Sequence, residues 1–74
     1  MFRKALVLNE EIGRKEGIAR QYGNLGSVSL TRGDLDQAEV MFRKALALFQ
    51  EIGAVPRVEQ VQRLLRVLRE QKSP

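Results

Sequence analysis

Cysteine and histidine are both absent from this 74-residue chain. The first absence excludes disulfide staples. It also suits a reducing compartment, so a cytoplasmic location is the expectation. The second absence removes the usual nitrogen ligand for metals and the usual general base. Without Cys or His, a structural zinc site has no ligands to draw on. Ser27, Ser29 and Ser73 have no imidazole to activate them, so serine-type nucleophilic catalysis has no footing. Long hydrophobic runs are missing as well. No apolar stretch approaches the roughly 18–20 residues that a membrane span needs. No signal-peptide pattern opens the chain, which goes straight into an amphipathic pattern. Lys/Arg runs never exceed two residues. A net charge of +4 therefore permits an acidic partner or nucleic acid without pointing to either.

The remaining polar groups offer no chemistry of their own. Glu10-Glu11 sits near an expected helix end, and Asp34 with Asp36 is better explained as capping and turn chemistry. The spacings Gly13 to Gly17 and Gly23 to Gly26 do not follow a strand, so they do not form a phosphate loop. No catalysis and no cofactor are expected. A single core of this size rarely supplies more than about 3–5 kcal/mol, which makes a partner useful.

What the chain does have is an internal repeat. Met1-Phe2-Arg3-Lys4-Ala5-Leu6 returns letter for letter as Met41-Phe42-Arg43-Lys44-Ala45-Leu46. Leu8 pairs with Leu48, and Glu11-Ile12-Gly13 pairs with Glu51-Ile52-Gly53, always at an offset of 40 residues. Repeats of this length are supersecondary units that stack and present a surface. The apolar spacing of three and four gives an all-α chain with four helical segments. The first runs over 2–12 and stops at Gly13. The second runs over 15–31 and closes at Gly33. The third, over 35–52, is capped by Asp34 or Asp36 and ended by Gly53. The fourth, over 56–71, starts at Pro56, a residue welcome in a first turn. The short links predict antiparallel neighbours.

Laid out in this way, residues 19–45 resemble a tetratricopeptide repeat. Tyr22 stands at that family's Trp position, Leu25-Gly26 is its Leu-Gly pair, and Ala38, Phe42 and Ala45 match its second helix. Gly33-Asp34-Leu35-Asp36 looks like its turn, and Pro56 falls at its closing proline. Ser29 replaces the usual Tyr. The 40-residue period and the Ala19-x-x-Tyr22-x-Asn24-Leu25-Gly26 run are similar to the kinesin light chain type. The resemblance implies one domain, 1–74, of a right-handed solenoid. Residues 2–12 would be the second helix of a preceding repeat, 15–52 a complete repeat, and 56–71 the first or capping helix of the next. Arg66 and Gln62 stand where Gly26 and Tyr22 stand one unit earlier, a more polar pattern that suits a cap. Close approach explains the small Gly26 and Ala38, while Tyr22 and Phe42 are expected to fill the wedge between pairs.

The same resemblance implies a protein-interaction scaffold whose first helices line a groove for an extended peptide. Groove positions would be Arg20, Gly23, Asn24, Ser27 and Leu30, then Gln60, Arg63, Leu64, Val67 and Glu70. Arg20, Asn24, Ser27, Arg63 and Val67 are the leading peptide contacts. Asn24 offers both donors and an acceptor to a peptide backbone. Arg20 and Arg63 suit an acidic ligand. The competing explanation of these residues is a solvated helix face. The cluster Arg57, Arg63, Arg66, Arg69 and Lys72 is the one feature favouring nucleic acid, and it lacks interleaved aromatics to stack on bases. The alternative to peptide capture is self-association into a homo-oligomer, with Phe2 and Leu6 of one copy docking on Val61, Leu65 and Leu68 of another.

Overall fold

In the computed structural model, residues 2–73 are described, with side chains for residues 10–73. Three helices account for most of the chain: α1 (Phe2–Thr31), α2 (Leu35–Glu51) and α3 (Val55–Lys72). No strand is present among the described residues, and the all-α expectation holds. α2 lies in the middle and packs against both α1 and α3. The body measures 55 × 18 × 13 Å, drawn out along α1.

Two turns set this topology, and both end a helix in the same way. Gly33 and Gly53 adopt φ of 81° and 71°, the left-handed conformation that glycine enters without a Cβ penalty. Around Gly33, the amide of Asp34 donates to the Ser29 carbonyl (2.9 Å) and that of Gly33 to the Leu30 carbonyl (3.0 Å). Around Gly53, Ala54 donates to Phe49 (2.9 Å) and Gly53 to Gln50 (3.2 Å). This is the paired bonding of a Schellman motif, which satisfies the last carbonyls of a helix. Asp34 then caps α2, its carboxylate accepting from the Gln37 amide at 3.3 Å. α3 starts without a side-chain cap at Ala54 but has Pro56 in its first turn.

The expected stop at Gly13 does not occur. Segments 2–12 and 15–31 form one continuous helix, so the described residues hold three helices rather than four. The physical reason lies in the residues C-terminal to each glycine. Gly33 is succeeded by a capping Asp, and Gly53 by a proline three residues on. Gly13 is succeeded by Arg14-Lys15-Glu16, strong helix formers with no capping side chain among them. A glycine with no start signal behind it is absorbed into the helix.

The core is small and centred on α2. Ala19, Ala38, Phe42, Ala45, Phe49, Val61 and Leu68 are buried. Gly26 is buried too, and the Phe42 ring lies where its Cβ would be, 2.7 Å from the ring carbons Cδ1 and Cε1. Phe42 thus packs within the α1–α2 pair rather than between pairs. Tyr22 is half-buried at its edge, with the Lys44 ammonium 5.4 Å from the ring centroid. At the far ends, Lys15 pairs with Glu51, and Lys72 with Asp36 (2.7 Å) and Glu39 (3.0 Å).

Candidate interaction groove

α1 and α3 both flank α2, and a groove opens between them. Arg20, Gly23, Asn24 and Ser27 form its α1 wall. These residues sit at the three- and four-residue spacing that defines one helix face. Arg57, Gln60 and Leu64 form the α3 wall, again at helical spacing, and Phe49 and Val61 close the floor. The space is about 170 Å³. Its rim is polar and its floor apolar, the usual composition of a surface that grips a ligand by a few placed hydrogen bonds.

Gly23 adds something specific to the α1 wall. A Cβ built there would meet nothing within 4 Å, so the backbone lies open to an approaching chain. On the opposite wall the Arg57 Nη1 donates to the Gln60 Oε1 at 3.3 Å, which orients both side chains. Among the described residues, neither Arg20 nor Arg57 is ion-paired. Both guanidinium groups are free for an incoming carboxylate.

Three of the sequence-derived contacts, Arg20, Asn24 and Ser27, therefore meet on one wall. Arg63 and Val67 do not join them. Both are exposed on α3 but lie outside the groove lining. The cause is rotational: each helical residue turns the side chain by about 100°, so Leu64 faces the groove and Arg63 does not. Three lining residues were not among the expected groove positions: Arg57, expected in a basic cluster, Val61, expected to dock a second copy, and Phe49. Arg57 is detectable as the residue three before Gln60 and seven before Leu64.

The self-association set fares differently. Val61 and Leu68 are 4% and 0% exposed, and Leu65 packs against the same core. α2 already covers these residues, so this face of α3 is not open to a second copy. The side chains of Phe2 and Leu6 lie outside the described residues.

No group of three His, Cys, Asp or Glu that could hold a metal occurs among the described residues. No helix among them is long and apolar enough to cross a membrane. No family model, curated protein or solved structure matches the chain.

Proposed function

We propose that the chain is a protein-interaction module that holds an extended, acidic peptide in the groove between α1 and α3. The observation that carries this reading is the convergence of Arg20, Asn24 and Ser27 with Arg57 and Gln60 over an apolar floor of Phe49 and Val61. Each has a distinct part. Asn24 and Gln60 donate to and accept from the peptide backbone, which reads an extended strand without regard to its side chains. Arg20 and Arg57 pair with carboxylates on either side, where the planar guanidinium fork gives bidentate contacts. Phe49 and Val61, both nearly buried, close the groove beneath the peptide with an apolar floor.

The tetratricopeptide-like reading of the chain is supported by two features. The α1–α2 pair is closed by Gly26 against Phe42, at the positions the motif reserves for a small residue and an aromatic. The first-helix positions of two successive units also face a common groove. Recognition is the whole mechanism: no bond is made or broken.

A panel of fluorescently labelled acidic peptides tests it by anisotropy. Binding is expected to weaken about tenfold or more in Asn24→Ala/Arg20→Ala, the equivalent of roughly 1.4 kcal/mol or more. It is also expected to weaken with salt, because paired charges at a surface are screened. Equal binding of basic and acidic peptides, or no effect of the double substitution, would overturn the reading.

A further inference from the structure

Among the described residues, the large apolar side chains left exposed are concentrated on α1. Ile12, Ile18, Leu25 and Val28 are 43%, 39%, 52% and 49% exposed. Ile18, Gln21, Leu25 and Val28 succeed each other by three, four and three residues, which makes them one stripe along the outer side of the helix. This stripe is turned away from the wall formed by Arg20, Gly23 and Ser27.

The internal repeat says what the stripe matches. Forty residues later the same positions are Val58, Val61, Leu65 and Leu68. There the stripe is covered: Val61 and Leu68 are buried, and Val58 and Leu65 pack against the core. α2 covers it, and Phe42, Ala45 and Phe49, three of the four α2 residues buried in that core, belong to the segment 42–52. The chain carries a second version of that segment, residues 2–12, with Phe-Arg-Lys-Ala-Leu, the next Leu and the closing Glu-Ile all retained. The acceptor stripe is thus exposed on α1, and its matching cover is present in the same sequence.

The cover does not reach its own stripe. α1 runs straight through Gly13 and carries residues 2–12 away from the helix bundle. At 1.5 Å of rise per residue, positions 9 and 21 are about 18 Å apart along the axis. A second chain meets no such obstacle.

We propose that residues 2–12 of a second copy of this chain dock antiparallel on the Ile18–Val28 stripe of α1, as 42–52 dock on α3. Phe49 and Val61 both line the groove floor, and pairing them sets the register. Transposed by one repeat, it sets Asn9 of one copy beside Gln21 of the other. The helices cross near Gly13 and Gly17, where an added Cβ would meet nothing within 4 Å. A shallow hollow of about 450 Å³ already lies there, lined in part by Gly13, Gly17, Ile18 and Gln21. Antiparallel pairing is reciprocal, so each copy gives its 2–12 segment and receives the other's. The product is a closed dimer rather than a filament.

The absence of cysteine makes the test clean. Asn9→Cys/Gln21→Cys is oxidised mildly and examined by non-reducing electrophoresis and mass spectrometry. A disulfide joining two chains through the two introduced thiols is expected. Leu25→Glu added to this background is expected to abolish it with helicity unchanged by circular dichroism, since Leu25 lies outside the core. The unsubstituted chain is expected to sediment with a mass rising from 8.4 kDa toward twice that with concentration. An intrachain disulfide would overturn the proposal, because it would place a chain's own 2–12 segment on its own stripe. Cross-linking no stronger than in an Asn9→Cys/Arg63→Cys control, or a mass of 8.4 kDa at every concentration, would overturn it as well.

Discussion

Gly23 and Gly26 lie three residues apart on α1, and a methyl group has opposite consequences at the two. At Gly23 an added Cβ meets open space, so Gly23→Ala is expected to stabilise by about 0.8–1 kcal/mol through helix propensity alone. At Gly26 the Cβ would sit 2.7 Å from the Phe42 ring, in the middle of the core. Overpacking of that kind costs about 1–3 kcal/mol, which outweighs the same propensity gain. Gly26→Ala is therefore expected to lower the urea midpoint and Gly23→Ala to raise it, each with an unchanged slope. That Gly26 must be small was legible from the Leu-Gly pair beside Tyr22. Which ring presses on it was not, because sequence spacing places residues on a face without saying which neighbour that face meets. The groove shows the same division. Arg20, Asn24 and Ser27 share a wall because their spacing alone requires it. Arg63 and Val67 fall outside because the rotation of α3 is set by how Val61 and Leu68 enter the core.

The helices differ in how well their ends are finished. Asp34 caps α2, whereas Ala54 occupies the corresponding place before α3 with nearly the same backbone, φ −80° and ψ 74° against −86° and 78°. A hydroxyl there has a free helix amide to accept from. Ala54→Ser is expected to stabilise by about 0.5–1 kcal/mol, read as a rise in the thermal midpoint. The other end of α3 is tied by Lys72 to Asp36 and Glu39 at the start of α2. Hydrogen bonding to Lys72 is the main cause that holds both carboxyls below their ordinary range and raises the ammonium above its own. Depressed carboxyls stabilise the fold above their unfolded pKa, and that contribution is lost as pH falls through their folded values. A raised Lys contributes below its unfolded value near 10.5 and is lost as pH rises beyond it. Stability should thus show a plateau between mid-acid and pH 10, and Lys72→Met should flatten the acid limb measured by thermal melts. The effect is small because solvent screens these side chains. Turn chemistry was the most legible feature at this scale. Gly33 and Gly53 announce their turns through the Asp and the Pro on their C-terminal side, and Gly13 has the glycine without either.

The molecule as a whole consists of a three-helix body and a projecting helical arm. α2 accompanies α1 only as far as Lys15, where the Glu51 ion pair marks the end of shared length. Residues 10–14 beyond that point are all exposed. The all-α architecture and two of the three expected junctions were readable from periodicity. The arm was not, because Gly13 reads as a stop unless the uncapped helix formers Arg14-Lys15-Glu16 behind it are weighed against it. An unsupported helical segment shorter than about 12–15 residues is marginal in water. Amides in 10–14 should therefore exchange with deuterium at rates set by local opening, while those in 38–49 wait for global unfolding. Dimerisation through the Ile18–Val28 stripe changes one of these rates and not the other. Protection in 10–14 should rise with protein concentration and revert in Leu25→Glu, with 38–49 unaltered when the two proteins are compared at equal stability. Concentration-independent exchange of the arm would mean that its apolar surface stays in water, and that the stripe on α1 is matched to something other than a second copy.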